Sequence, residues 1–136
     1  MAQLNAFRID SKAIETGAWT SPGEEYDDIE LLVRGMHDGF YDAQAAKLRR
    51  AALPHNGDQQ KLPNADHKRI RVECLIDHVF LDVRNLVGPD GQPVTADKYR
   101  SLMMDPDYGE LVAMVVKAAT KVGRLGVSDV EDAKGN

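Results

Sequence analysis

The stretch that decides the fold is VFLDVRNLVGPDGQPVTADKYRSLMMDPDYGELVAMVVKAA, which spans residues 79–119. Its order predicts the end of one helix, a tight turn at residues 88–91, a short second helix, an Asp105-Pro106 break and a third helix. Proline removes a backbone donor and glycine accepts a positive φ, so both breaks interrupt helical structure. The stretch therefore predicts three helical segments that pack against one another.

The residues before this stretch predict two further helices. Residues 38–53 are rich in alanine, leucine, lysine and arginine, which are strong helix formers, and Pro54 ends that run. Apolar side chains then recur at helical spacing between residues 64 and 86, with Asn64 or Asp66 as the cap. Thr95 or Asp97 is the corresponding cap of the short helix. The long helix is predicted to occupy the centre of a small bundle because its apolar arc is wide.

The N-terminal third predicts short strands. Apolar and polar side chains alternate in residues 6–10 (AFRID) and again in residues 28–35 (DIELLVRG). Trp19 is expected to cover the apolar face of the resulting sheet. Because a lone hairpin is marginal in water, this sheet must pack against a helix or a second subunit.

The predicted fold class is α+β, mainly α: a small N-terminal antiparallel β-element of two or three strands, followed by a four-helix, bundle-like C-terminal part. A chain of 136 residues suits one domain. We expect that domain to span residues 1–126, with the β-element at 6–35 and the helical part at 38–122, and we expect a disordered tail at 127–136.

The composition of the chain indicates the cellular compartment in which the protein is expected. The single cysteine, Cys74, cannot form an internal disulfide, which suits a reducing compartment. The N-terminus has no apolar run typical of a signal peptide, and no stretch of 18 apolar residues occurs. The sequence therefore predicts a soluble cytoplasmic protein without membrane contact.

The charge is uneven along the chain. The net charge is −5, which disfavours nucleic acid as the main partner, yet residues 47–71 hold seven cations against Asp58 and Asp66. This segment is either an ordinary solvated loop between two helix ends or a patch for phosphate or an acidic partner. Its basic residues are Lys47, Arg49, Arg50, Lys61, Lys68, Arg69 and Arg71.

Potential metal ligands lie on the long predicted helix. His67, Cys74 and His78 fall near one face, and the last two are four residues apart. A structural zinc site needs four ligands, and cysteine is often buried as a small apolar residue. We therefore expect these residues to belong to the core or helix surface, with no metal and no cofactor.

The aspartates do not suggest catalysis. Asp77 and Asp82 would point away from each other on one helix, so they cannot form an acid–base pair. Asp105 and Asp107 flank a proline at a helix start, where capping explains them. Phosphate-loop, nucleophile-elbow and calcium-loop patterns do not occur in the sequence. The prediction is a protein that is not an enzyme.

Methionine and aromatic residues suggest that the protein binds a partner. Methionine adapts its shape and is common on surfaces that accept partners, although core packing explains such residues equally simply. The candidate partner-binding residues are Phe40, Tyr41, Met103, Met104, Tyr108 and Met114.

The order of these parts resembles the tail assembly chaperones of long-tailed bacteriophages and prophages. Residues 90–95 (DGQPVT) match a turn that many of these proteins carry, and Asp105-Pro106 matches their step into a last helix. Residues 7–20, 29–35 and Phe40-Tyr41 are similar to their openings. The resemblance covers residues 6–122.

The resemblance implies the short form of a non-enzymatic chaperone that binds the tape measure protein and helps recruit tail tube subunits. It also implies a homo-oligomer in the host bacterial cytoplasm that is absent from the mature virion. Two alternatives remain from the residues: a nucleic-acid-binding regulator that uses the 47–71 patch, and a structural tail or head-completion subunit.

Overall fold

The computed structural model describes residues 1–124. Short 3-10 turns occur at Leu4–Phe7, Glu24–Tyr26, Leu53–His55, Gln59–Lys61 and Pro106–Tyr108. The helices and strands, in chain order, are α1 (Ser11–Thr16), β1 (Ala18–Thr20), β2 (Glu30–Val33), α2 (Asp38–Ala51), α3 (Asn64–His78), β3 (Phe80–Arg84), α4 (Ala96–Met103) and α5 (Gly109–Lys121). The predicted class, mainly helical α+β with a small antiparallel sheet, is confirmed.

The three strands form one antiparallel sheet in the order β1-β2-β3. Leu31 pairs with Val83 and Val33 pairs with Phe80, with a register irregularity between Leu32 and Val33. All four of these paired side chains are buried, so one face of the sheet belongs to the core. The strand predicted within residues 28–35 is thereby confirmed as β2.

The prediction that the long helix continues to residue 86 is wrong, because α3 ends at His78. Residues 80–84 form β3 instead, so the sheet takes its third strand from within the part predicted to be helical. Val79, Phe80 and Val83 have apolar spacing that fits either a helix or a short buried strand, and pairing with β2 decides between them. β-branched and aromatic side chains also favour the strand.

The strand predicted at residues 6–10 is also wrong. Leu4–Phe7 is a 3-10 turn, and Ile9 forms only an isolated bridge with Arg124. Asp10 then caps α1 by accepting a hydrogen bond from the backbone N–H of Ala13 at 3.1 Å. Alternation alone did not make a strand, because within residues 1–124 no strand pairs with this segment beyond the bridge between Ile9 and Arg124.

The helix ends agree with the sequence in most places. Thr95 caps α4 by accepting from the N–H of Lys98 at 3.1 Å, and Gly91 has a φ of +79° in the preceding turn. α3 differs, because Pro63 precedes it and neither Asn64 nor Asp66 provides a side-chain cap. The carbonyl of Pro63 begins that helix by accepting the N–H of Asp66.

A stacked aromatic pair joins the sheet to the helices. The rings of Phe80 and Tyr99 lie 4.6 Å apart and are nearly parallel, at 8°. The hydroxyl of Tyr99 donates to the carbonyl of Leu111 at 2.7 Å, which connects α4 to α5. Burial raises the pKa of Tyr99, so its hydroxyl stays protonated and remains a donor.

The sheet and the helices share one hydrophobic core. Among the helices at positions 1–124, none combines the length and apolar character needed to cross a bilayer. The tail predicted at 127–136 lies outside the described residues. The largest fully buried side chains of the core are Tyr99, Phe80, Leu31, Leu75, Val33, Val79 and Val115.

Replacing Tyr99 by phenylalanine keeps the ring stack and removes only the hydroxyl that donates to Leu111. The free energy of unfolding should fall by about 0.5–1.5 kcal/mol, because a partly buried hydrogen bond between α4 and α5 is lost. Urea unfolding followed by circular dichroism measures this change. The control is Tyr41→Phe on an exposed ring, for which we expect a change below about 0.5 kcal/mol. Equal stability of Tyr99→Phe and the wild type would contradict the assigned hydrogen bond.

Candidate partner-binding groove

A groove of about 500 Å³ lies between α3 and the break that separates α4 from α5. One wall is a single face of α3, whose contributing positions follow the helical spacing i, i+3, i+4 and i+7. The other wall is the end of α4, the break and the start of α5. We call it the α3–α5 groove; it is lined by Ala65, Lys68, Arg69, Val72, Met103, Met104, Asp105, Pro106, Gly109 and Val112.

The break between α4 and α5 shapes this groove. α4 ends at Met103, and Asp105 then accepts the N–H of Asp107 at 2.9 Å, which starts a 3-10 turn that includes Pro106. α5 begins only at Gly109. The side chain of Asp105 is therefore a cap, as the sequence predicted.

The structure brings two of the predicted partner-binding residues together in the groove. Met104 lines it with 47% of its surface exposed, and Met103 lines it while almost entirely buried. Tyr108 is 46% exposed in the turn after the break, but it does not line the groove. For Met104 and Tyr108 a role in partner binding stays a prediction that exposure permits.

The other predicted partner-binding residues lie elsewhere. Phe40 and Met114 are buried within the core, so core packing explains them and they offer a partner no surface in this conformation. Tyr41 is exposed at the start of α2, with its ring edge-on to that of Phe40 at 5.3 Å. The sequence could not separate these cases because methionine and aromatic residues suit both environments.

Two cations of the predicted basic patch are neutralised by neighbouring carboxylates. The ammonium of Lys47 lies 3.0 Å from Glu73 and 3.9 Å from Asp77, while Arg69 lies 3.4 Å from Glu73 and 3.6 Å from Asp66. The hydrogen bond from Lys47 lowers the pKa of Glu73 and raises that of Lys47 itself. Glu73 therefore connects α2 to α3 and holds Arg69 along α3.

The remaining five cations are exposed, and none forms an ion pair within residues 1–124. α2 and α3 pack as a helical hairpin, with Lys47 against Glu73. Four of these cations lie late in α2, in the connecting loop or in the first turns of α3, whereas Arg71 lies in the middle of α3. We call these five exposed cations the basic ridge: Arg49, Arg50, Lys61, Lys68 and Arg71. Lys68 belongs to both the ridge and the groove.

The potential metal ligands do not form a site in the described part of the chain. No group of three or more His, Cys, Asp or Glu residues lies close enough there to hold an ion. Cys74 is buried, and burial raises the pKa of its thiol. A ring nitrogen of His67 lies 3.1 Å from the carbonyl oxygen of Gln59, next to the turn before α3.

The predicted placement of Asp77 and Asp82 on one helix is wrong, because α3 ends first. Asp77 faces Lys47 from α3, whereas Asp82 lies on β3 opposite Leu32. The carboxylate of Asp82 accepts the backbone N–H of Val83 at 2.8 Å. The two carboxylates therefore have separate local partners.

Sequence reasoning missed the apolar wall that α3 contributes. Ala65, Val72 and Val112 were not among the predicted partner-binding residues, although the spacing of 65, 68, 69 and 72 was a usable signal. Which α3 face remains uncovered depends on where α4 and α5 pack, and the sequence does not encode that locally.

Comparisons with protein-family models, with curated proteins and with solved structures found no match to this chain. The fold, the α3–α5 groove and the basic ridge therefore carry the functional argument.

The position of Glu73 predicts a pH dependence of stability. Its pKa lies below the ordinary value of 4.5, so its contribution is complete above that pH and is lost as the pH falls through the folded-state value. The variant Glu73→Gln lacks this contribution, which is on the order of 0.5 kcal/mol for a partly exposed ion pair. Below pH 4.5 its free energy of unfolding should therefore fall less steeply than that of the wild type. Urea unfolding at pH 3–7 measures both effects. Glu15→Gln, on the exposed face of α1, should retain the wild-type slope, and a wild-type slope in Glu73→Gln would refute the assignment.

Proposed function

We propose that this protein is a non-enzymatic tail assembly chaperone of a long-tailed bacteriophage or prophage, in its short form. It binds the tape measure protein and helps recruit tail tube subunits while the tail is built. It works as a homo-oligomer in the host bacterial cytoplasm and is absent from the mature virion. The observation that carries the proposal is the α3–α5 groove, formed at the same Asp105-Pro106 break that carries the resemblance.

The groove has the chemistry that a helix-binding surface needs. Its lining combines two methionines with aliphatic side chains, and an amphipathic helix binds such a surface through its apolar face. A groove of about 500 Å³ holds only a few side chains of a partner. A helix bound there would bury much less surface area than the two sides of an obligate interface do. Binding of this extent is reversible, which suits a chaperone that is shed before assembly ends.

The charges beside the groove favour an acidic stretch in the partner. Lys68 stands at the groove, and Arg49, Arg50 and Lys61 lie toward the loop end of the α2–α3 hairpin. Charges at the rim of an interface mainly accelerate association and select partners, and they add little to affinity. The apolar lining would then supply most of the binding free energy.

The central experiment is binding of the full chain to a tape measure protein, the long helical product encoded near this gene in the same genome. Co-expression followed by affinity purification tests whether the two proteins form a complex that stays in solution. The proposal fails if the chain remains monomeric and does not bind that protein.

A substitution in the groove tests which surface is used. Met104→Glu places a charge on an exposed groove side chain, and we expect at least tenfold weaker binding, equivalent to about 1.4 kcal/mol. Isothermal titration calorimetry measures the affinity, and circular dichroism checks that the variant folds. Val87→Glu is the matched control, since Val87 is an exposed apolar residue outside the groove lining. Equal weakening by both variants, or by neither, would contradict the groove assignment.

The basic ridge supports a second candidate, a nucleic-acid-binding regulator. Its five cations have no ion-pair partners within residues 1–124, so they remain available to phosphates. In that case DNA or RNA affinity should fall steeply with salt, and Arg49→Glu with Arg50→Glu should reduce the slope. The absence of salt-sensitive binding at low ionic strength would reject it. Mass spectrometry of purified particles separates a chaperone from a structural subunit, because only the subunit is retained.

A further inference from the structure

A turn between β1 and β2 carries charge opposite to that of the basic ridge. It consists of the 3-10 turn Glu24–Tyr26 and the two residues after it, and we call residues 24–28 the acidic turn. Its exposed carboxylates are those of Glu24, Glu25, Asp27 and Asp28. Within residues 1–124 only that of Glu25 forms an ion pair, with Lys117 at 3.3 Å.

The acidic turn is held in place by α5 and by the residue that follows β3. The Tyr26 hydroxyl donates to the Glu110 carboxylate at 2.9 Å and accepts a hydrogen bond from the Lys117 ammonium at 2.8 Å. The side-chain amide of Asn85 donates to the carbonyl of Asp28 at 2.9 Å. The carboxylates therefore project from a turn that is already ordered, which lowers the entropic cost of binding them.

We propose that the acidic turn of one copy of this chain binds the cations at the loop end of the α2–α3 hairpin of a second copy. We call these the loop-end cations: Arg49, Arg50 and Lys61. The inference deepens the proposed function, because it names the two surfaces through which the homo-oligomer forms, and its role in tail assembly rests on that function.

Charge complementarity is the first argument, and it holds when the charges around the acidic turn are included. Glu110 adds one negative charge, whereas Lys117 and Lys121 each add one positive charge, the latter from beside the carbonyl of Ser21. Together with the four carboxylates of the turn, these three side chains leave a net charge of −3. The surface is therefore acidic although α5 supplies two cations.

The surface around the loop-end cations remains basic in the same way. Asp58 accepts the N–H of Gln60 and keeps its negative charge, so residues 49–62 carry a net charge of +2. The longer stretch 47–77, with all its ion-paired carboxylates included, carries +3. Opposite potentials on two surfaces accelerate their association and select the partner.

The second argument is that the two surfaces do not neutralise each other within one chain. None of the ion pairs in the described part of the chain joins the acidic turn to the basic ridge. The acidic turn contacts α5 and the end of β3, whereas the loop-end cations belong to α2 and to the loop before α3. A second copy brings a set of loop-end cations to each acidic turn.

The contact uses no residue of the α3–α5 groove lining. Because it joins unlike surfaces of two copies, its repetition builds a ring or an open chain. Such an assembly would place several grooves along one long helical partner, and linked sites bind more tightly than a single site does. Self-association and partner binding would then support each other.

Charge reversal in the full chain tests this contact without any partner. The ridge variant carries Arg49→Glu with Arg50→Glu, and the turn variant carries Glu24→Lys with Asp28→Lys. Sedimentation velocity at low ionic strength measures self-association, and circular dichroism checks that each variant folds. We expect each variant to lower the association constant at least about tenfold, and we expect added salt to lower that of the wild type.

The two variants should also rescue each other. An equimolar mixture should restore association, because the ridge variant keeps its acidic turn and the turn variant keeps its loop-end cations. One chain that carries all four substitutions should associate as well, since both surfaces then exchange sign. Its net charge equals the −5 of the wild type, so a general effect of net charge is excluded.

The matched control is Lys12→Glu with Lys98→Glu, which changes the net charge as the ridge variant does but at two exposed lysines outside both surfaces. It should leave the association constant unchanged. A wild type that stays monomeric at low ionic strength, equal weakening by the control, or a ridge variant that the turn variant does not rescue would overturn the proposal. Binding to the tape measure protein is measured separately, so failure here leaves the test of the proposed function intact.

Discussion

The antiparallel pairing of β3 with β2 is the constraint on which the rest of the structure depends. The backbone N–H of Arg34 donates to the carbonyl of Val79 at 2.9 Å, which ends α3 and turns the following residues into the sheet. The pairing of Val33 with Phe80 then fixes which side of β3 faces the helices. Phe80 stacks on Tyr99 as a result, so the position of α4 follows from a strand register.

The groove is a consequence of that same chain of contacts. Tyr99 stacks on the sheet and connects α4 to α5 through Leu111, and α4 in this position leaves one face of α3 uncovered. The Asp105-Pro106 break then redirects the chain before α5 begins. The groove is therefore formed by helices that belong to the core, and the half-exposed Met104 lies in its lining.

The basic residues between positions 47 and 71 fall into two groups, those in ion pairs and those exposed to solvent. Lys47 and Arg69 serve the fold, because Lys47 joins α2 to α3 through Glu73 and Arg69 pairs with Glu73 within α3. The cations of the basic ridge have no such role within residues 1–124 and face solvent. One run of charge in the sequence thus contains both structural ion pairs and exposed cations that have no ion-pair partner within residues 1–124.

The sequence alone determined the helix-favouring segments and the breaks at residues 88–91 and Asp105-Pro106, because these depend on proline and glycine chemistry within a few residues. It narrowed the cap of α4 to Thr95 or Asp97, and the structure selects Thr95. It also selected Met103 and Met104 as candidate partner-binding residues, and both line the groove. It could not distinguish the half-exposed Met104 from the buried Met103 and Met114. Tertiary structure alone decided that residues 80–84 form a strand, that residues 6–10 do not, and which face of α3 is left uncovered. The physical reason is that short apolar runs fit a helix or a strand equally well, and distant neighbours supply the hydrogen bonds and contacts that select one.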